Sequence, residues 1–547
     1  TGAEYECNQT VTNWSATHSC NARKVFEPHS TQELLRLLQF YTENDMKLRP
    51  VGTALSPNGI GLTESGADLV TVRNIDHMHV DEKDMTVTVG AGATVDKVLT
   101  FLKGRGLTLE NFSSIQEQQI AGWTQVAAHG TGVTLPTVEE QIVQMKLATP
   151  GEGLLTLSSK SNPQLFALAK VGLGSLGVVT ELTLRCVELS NLEEKTACVT
   201  RSGVHEGHLA RLEQFRHVRY MWIPHTDTVV TVCSSPADGP PPSVGSALSQ
   251  YFTAAPSSTG KGATKKLFES KSFAATVENL SVADLRSALL EEQPLGLEHV
   301  QAVNRAEEAY WRESQGTRRG SSTEILGFDC GGEQLVYEVR LHSSHWLRSN
   351  HLIINSQCRL RKVCIPMGRL SALKDRGTED KSPDIAFVEK LLSVIEDSGI
   401  PAPSPIEQRW TARSTAPMSP AYSADPEVVF SWVGVIMYLP QDPQKREQVA
   451  TAFRQYCTSM NFLVDQHGGQ AHWAKVELPE KGPSHQGVPG ADRYEAELRV
   501  MRERLARKYP VERFSRYRAA LDPQRVLGNA LVDELFPQHS GAGHNSI

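Results

Sequence analysis

Apolar positions along the first third of the chain recur in short stripes at helical spacing, separated by runs that alternate every second residue. Leu34, Leu35, Leu37, Leu38 and Tyr41 make one stripe, opened by Ser30-Thr31-Gln32-Glu33, the signature of a capping box. A short strand is expected over Lys47 to Val51, with others over Asp68 to Val72 and Thr86 to Val89. The spacing predicts a helix over Val95 to Leu102, stopped at Gly104, and another opened by Asn162-Pro163 and closed by Gly172. Gly177 to Cys186 then alternates as a strand. Beyond about residue 188 the strands lengthen, as in Tyr220 to Cys233 and Val428 to Tyr438, and amphipathic helices separate them. Two stretches lack a period. Ser234 to Lys265, rich in Pro, Gly, Ser and Ala, reads as an exposed flexible connection (234-265), and Arg340 to Lys362 as an inserted surface loop (340-362).

At 547 residues the chain exceeds what one hydrophobic core supports, so at least two domains are expected. No apolar run is long enough for a transmembrane helix. With 55 Lys and Arg against 62 Asp and Glu, the net charge of -7 offers no broad basic surface, which argues against nucleic acid as a partner. Nine scattered cysteines without a CxxC pair predict neither a disulfide framework nor a zinc site, and no other metal site is expected.

Three glycine-bearing clusters fall in the first third: Gly52-Thr53-Ala54-Leu55-Ser56-Pro57-Asn58-Gly59 and on to Gly61, Gly122 to Gly132, and Gly172-Leu173-Gly174-Ser175-Leu176-Gly177. Each either presents backbone N–H groups to a phosphate or is simply a tight turn. None is a Walker A loop, and the third lacks Rossmann spacing with its acidic ribose ligand. A nucleotide bound here needs another fold.

Arg49-Pro50-Val51-Gly52 with Ser56-Pro57-Asn58-Gly59, then Ala128-His129-Gly130-Thr131-Gly132 and Gly174-Ser175-Leu176-Gly177, resemble the FAD domain of the vanillyl-alcohol-oxidase superfamily. Thr12-Asn13-Trp14-Ser15, Glu407-Gln408-Arg409-Trp410-Thr411-Ala412-Arg413-Ser414 and His472-Trp473-Ala474-Lys475 narrow the resemblance to its aldonolactone oxidoreductase family, on the dehydrogenase side. The resemblance implies a two-domain α+β flavoprotein: an FAD-binding domain over 12-187, a substrate-capping domain over 188-514, and a segment over 515-537, marked by Leu521-Asp522-Pro523 and Asn529, that returns to the first domain. FAD is expected along the first domain, its pyrophosphate against Gly52 to Pro57 and against Gly130, Thr131 and Gly132. Val51, Thr53, Ala54, Leu55, Ser56, Asn111, Ser114, Gly122, Gly174, Gly177, Val178 and Val179 join the expected cofactor-binding positions. His129 is either a flavin contact or a spacer, and His472 either a flavin contact or a packed core residue. Leu55 stands where relatives with a tethered flavin carry His. Leucine has no nucleophilic nitrogen, so FAD is expected to be held non-covalently. Ser113 aligns with a gatekeeper that is glycine in oxygen-using oxidases and larger in dehydrogenases.

The activity implied is oxidation of L-galactono-1,4-lactone or L-gulono-1,4-lactone at the C2 hydroxyl to give L-ascorbate. Cytochrome c is the implied electron acceptor, and the mitochondrial inner membrane or intermembrane space the implied location. Such a reaction needs a hydride acceptor, a proton acceptor, and positive charge beside the reduced flavin. Glu407 and Arg409, two apart on an extended segment, project to one face. Glu407 is expected to orient the hydroxyl and accept its proton, and Arg409 to bind the lactone and stabilise anionic reduced flavin. Outside this context such a pair reads as a solvated salt bridge, and Lys475, the second expected cation, as a surface lysine. Two alternatives stand beside this reading: an oxygen-dependent aldonolactone oxidase releasing hydrogen peroxide, and an assembly protein of a respiratory complex.

Overall fold

The computed structural model of the chain describes residues 2–239, 247–252, 281–327, 357–374, 381–481 and 490–538. The first third builds two sheets. In one, the hairpin Glu4–Thr12 and Ser19–Glu27 continues in parallel into Asp68–Val70 and Leu48–Pro50. The other is antiparallel, in the order Met78–Asp81, Thr86–Gly90, Val178–Arg185, Ile142–Thr149, Gly153–Ser158. The helix Thr31–Glu43 starts as its sequence dictates, with the Glu33 N–H donating to Ser30 Oγ at 3.2 Å. The Glu33 carboxylate reaches one residue further back than a capping box requires and accepts from the His29 N–H at 2.8 Å. Helix Val95–Lys103 has no side-chain cap at Thr94. Its buried stripe of Val95, Val98, Leu99 and Leu102 holds it instead, since burying each such side chain is worth about 1.5–3 kcal/mol.

The second region is one antiparallel sheet of eight strands, in the order Gly316–Ser321, Asn191–Thr200, Thr228–Pro236, His217–Trp222, Ile406–Ala412, Val428–Tyr438, Cys358–Arg369, Gln470–Ala471. Side chains from helices Arg201–Gln214, Pro383–Asp397 and Pro443–Gln466 close a core with Tyr220, Trp222, Ile406, Trp410, Val433 and Val363 from one face of the sheet. The opposite face turns to the first domain. Contact between them is made by backbone as well as side chains: the Gly132 N–H donates to the Trp410 carbonyl at 2.6 Å, and His217 Nδ1 to the Thr131 carbonyl at 2.7 Å. Glu140 adds a clamp, its carboxylate accepting from Ser414 Oγ, the Thr415 N–H and the Thr415 hydroxyl, each at 2.9 Å.

Four expectations change. Tyr220 to Cys233 is a hairpin of two strands, His217–Trp222 and Thr228–Pro236, turned at Pro224 and at His225, whose φ is +63°. The stretch Arg340 to Lys362 is not all surface loop, because residues 358–362 open the strand Cys358–Arg369; 340–356 lie outside the described residues. Within Ser234 to Lys265, residues 234–236 finish a strand and Ala247–Phe252 is helical, with Tyr251 buried and stacked on Trp311 at 5.3 Å; the remainder beyond Gly239 lies outside the described residues. The chain also rejoins the first core ahead of residue 515, since Tyr494, Leu498 and Leu505 pack there together with Phe514, Leu521, Val526 and Leu531.

Candidate active site

A cleft open to solvent runs through the first domain. One wall is the loop after strand Leu48–Pro50, where Val51, Gly52, Thr53, Ala54, Leu55 and Ser56 line the space. Gly122, Gly174, Gly177, Val178 and Val179 line the rest of it, with Trp123, Gln118 and Gln119. The backbone N–H groups of Gly52, Thr53, Ala54 and Leu55 have no acceptor among the described residues, which makes them a ready cradle for a diphosphate. Gly174 sits at φ +63°, and a Cβ there would come within 3.2 Å of Pro50, so the close approach of the two loops needs glycine. Beneath them Arg49 is buried, with no carboxylate in ion-pair contact among the described residues; it donates to the carbonyls of Ile60, Leu173, Gly174 and Leu527 at 2.5–3.0 Å. Asn13 joins the loop from the entry segment through its bond to the Ser56 carbonyl at 3.0 Å. Apolar walls for a flat ring, unpaired amides for a diphosphate and a buried cation beneath them suit FAD. Leu55 presents only hydrocarbon to this space.

Pro57, Asn111, Ser114, His129, Gly130, Thr131, Gly132 and His472 do not line the cleft. His129 to Gly132 instead cross to the eight-stranded sheet. His129 stacks on Trp432 with ring centroids 4.1 Å apart and planes 13° apart, and Thr131 Oγ1 donates to the Val218 carbonyl. A Cβ on Gly130 would lie 1.9 Å from Asn111 Oδ1 and 2.6 Å from the Phe112 carbonyl, so this glycine serves a close crossing. His472 caps the short turn Trp473–Lys475 by accepting from the Ala474 N–H at 3.1 Å. Burial, reinforced by neighbouring cations, holds both His129 and His472 far below the ordinary imidazole range, so both are neutral.

The charged residues occupy the face of the sheet turned to the first domain, in two adjacent rows. Register pairs Arg219 with Arg409, Arg409 with Trp432, and in the next row Met221 with Glu407, Glu407 with Gly434, and Gly434 with Lys362. Glu407 Oε1 accepts from Arg409 Nε at 2.8 Å and lies 3.5 Å from Arg219 Nε, while Oε2 accepts from Lys362 Nζ at 2.9 Å. Burial alone would raise the Glu407 carboxyl. The charges of Arg409, Lys362 and Arg219 outweigh it and hold the group well below the ordinary carboxylate range. Burial, aided by Lys362, pulls the Lys475 ammonium down to about 7; burial, opposed by Glu407, brings Lys362 to about 8. Behind the strand, Gln408 and Trp410 point the other way. Gln408 Nε2 and Trp410 Nε1 donate to the buried Asp384 at 3.0 and 2.9 Å, which fixes the strand's rotation and with it the aim of Glu407 and Arg409.

The rows meet the cleft wall through Ser113 and Ser114. Ser113 Oγ accepts from Trp123 Nε1 at 3.0 Å and donates to Gln118 Oε1 at 2.7 Å, and Ser114 Oγ accepts from Arg219 Nη2 at 3.1 Å. A continuous path of contacts thus runs from the cleft wall through Arg219 to Glu407. Arg219 and Lys362 were not singled out in the sequence. Arg219 stands one residue ahead of the run Tyr220 to Cys233 that reads as one long strand, and its alternation with Tyr220 was the available signal. Lys362 was absorbed into an aperiodic polar stretch that carried none.

Residues 22–158 match the FAD binding domain family, and residues 382–535 the D-arabinono-1,4-lactone oxidase family. The chain is 39% identical to a mitochondrial L-galactono-1,4-lactone dehydrogenase of Brassica oleracea, over 96% of this chain and 82% of that protein. It is 40% identical to L-galactono-1,4-lactone dehydrogenase 1, mitochondrial, of Oryza sativa subsp. japonica, over 96% and 84%. An L-gulonolactone oxidase of Bos taurus is more distant, at 28% over 42% of this chain and 52% of that one. In fold the chain is similar to cholesterol oxidase from Brevibacterium sterolicum, with a TM-score of 0.69, 16% identity and 98% of both chains covered. An FAD domain joined to a lactone-oxidoreductase region, and extended identity to these relatives, lead to one conclusion: the chain belongs to the aldonolactone oxidoreductase family of FAD-dependent oxidoreductases.

Proposed function

We propose that the chain is an aldonolactone dehydrogenase that oxidises the C2 hydroxyl of L-galactono-1,4-lactone, giving L-ascorbate after tautomerisation. The observation that carries this is the charged pair of rows, one carboxylate among Arg219, Arg409, Lys362 and Lys475, joined through Ser114 and Ser113 to the wall of a cleft that fits FAD. FAD supplies the hydride acceptor. Arg409 binds the polar lactone and, with Arg219, places positive charge where negative charge develops on oxidation. Glu407 stays ionised and accepts a hydrogen bond from the C2 hydroxyl, which orients it. A carboxylate held so acidic binds protons poorly, so the proton passes to Lys475, whose amine is partly neutral near pH 7. Ser113, tied to Trp123 and Gln118, occupies the gatekeeper position.

L-gulono-1,4-lactone is the second candidate substrate and cytochrome c the electron acceptor, in keeping with a dehydrogenase rather than a peroxide-releasing oxidase. The relatives named as mitochondrial support the mitochondrion as location, and no helix among the described residues is long and apolar enough to cross a membrane. Turnover of both lactones is measured with cytochrome c and with oxygen as acceptors, in wild type and in Arg409→Ala. The proposal expects cytochrome c reduction to dominate, and to fall by about 10²-fold or more in the variant. Rapid peroxide formation would establish the oxidase, and full activity in Arg409→Ala would remove the site.

A further inference from the structure

We propose that Lys362 is a positioning residue of this site, reaching Glu407 over Gly434 on the intervening strand, and that it sets which oxygen of Glu407 meets the substrate.

The register makes the crossing explicit. Lys362 and Glu407 lie on strands that are not neighbours, because Val428–Tyr438 runs between them, and both pair with the same residue, Gly434. On a pleated sheet, residues opposite one another in successive strands point to the same face, so any side chain at 434 would stand between the other two. A Cβ built there would lie 3.0 Å from Lys362 Cε. Glycine lets the lysine stem lie flat across the middle strand and bring Nζ to 2.9 Å from Glu407 Oε2.

That bond matters because of what holds the other oxygen. Oε1 faces both Arg409 and Arg219, so substrate must approach Oε2, the oxygen Lys362 pins. The same ammonium faces Lys475, which also faces Cys358 from the strand of Lys362, Glu407 and Arg409 from the strand Ile406–Ala412, and His472 from its own segment. After burial, Lys362 is the main influence keeping Lys475 from holding its proton tightly. Removing the charge at 362 therefore frees Glu407 to rotate and makes Lys475 more basic.

This inference rests on the proposed lactone oxidation. The test uses the FAD-loaded full chain and the variants Lys362→Met, Gly434→Ala and their double. Reduction of the bound flavin by L-galactono-1,4-lactone is followed anaerobically between pH 6 and 9, and melting temperature is recorded beside it. Lys362→Met is expected to move the ascending limb of the pH profile to higher pH and to lower the plateau rate about tenfold, with lactone affinity changing less. Gly434→Ala, whose Cβ would crowd the lysine stem at 3.0 Å, should shift the limb in the same direction to a smaller extent, and the double variant should match Lys362→Met alone in both limb and melting temperature. An unmoved limb in either folded single variant, or additive effects in the double, overturns the role of Lys362. Should Lys362→Met fail to fold, Gly434→Ala decides by itself. A wild-type flavin that no aldonolactone reduces refutes instead the functional reading on which the inference stands.

Discussion

Lys475→Arg separates two roles that a lysine in this position can play. Arginine keeps the positive charge but cannot release its proton in a protein, whereas the Lys475 ammonium is brought down to about 7 by burial and by Lys362. If the neutral amine accepts the hydroxyl proton, activity is lost as pH falls through that value and restored as pH rises. With a midpoint of about 7, the neutral fraction grows from about 0.09 at pH 6 to about 0.91 at pH 8, so kcat/KM, which reports on the free enzyme, should rise roughly tenfold over that interval. Lys475→Arg should lose about 10²- to 10⁴-fold, the usual contribution of a general base, and Lys475→Met the same. The assay is anaerobic bleaching of flavin absorbance at a series of lactone concentrations in buffers of constant ionic strength. A flat profile from pH 6 to 8, or a Lys475→Arg enzyme with near wild-type rates, would refute the argument and return Lys475 to the role of a fixed cation.

Three other outcomes follow from the same geometry. Because Leu55 offers the cleft no nucleophile, acid denaturation and filtration of the FAD-loaded protein should leave all the yellow colour in the filtrate, and colour retained on the chain would contradict non-covalent binding. Ser113→Gly removes the hydroxyl that joins Trp123 to Gln118 and should speed reoxidation by oxygen while leaving lactone affinity nearly unchanged; equal reoxidation rates would remove the gatekeeper argument. Gly130→Ala forces a Cβ onto Asn111 and the Phe112 carbonyl, so it should cost about 3 kcal/mol or more, read as a lowered melting temperature, and no measurable change would show that the segment at Gly130 packs less tightly against Asn111 and Phe112 within the first domain.

Long periodic elements were readable from the chain, and the reasons others were not are specific. Val428–Tyr438 is apolar at nearly every position and forms a strand with those bounds. The run from Tyr220 to Cys233 is apolar at both ends, and the polar cluster Pro224-His225-Thr226-Asp227 between them, a turn made without glycine, is the signal that the reading as one strand passes over. Lys362 was hidden for another reason. Its strand carries Arg359, Arg361 and Lys362 close together, and basic residues on both faces erase the period of two. Of the site itself, Glu407 and Arg409 share a face because an extended strand dictates it, and register, which depends on partners far along the chain, supplies Arg219, Gly434 and Lys362. The segment Gly130 to Gly132, expected against the pyrophosphate, also packs the first domain against the eight-stranded sheet, a contact that its composition does not announce.

An anaerobic visible spectrum of the purified, FAD-loaded protein, recorded before and after adding L-galactono-1,4-lactone, tests the central claim most directly. The account predicts an oxidised flavin spectrum that bleaches on mixing in wild type and persists in Arg409→Ala. A protein that takes up no FAD, or whose bound flavin keeps its colour in the presence of the lactone, would contradict it.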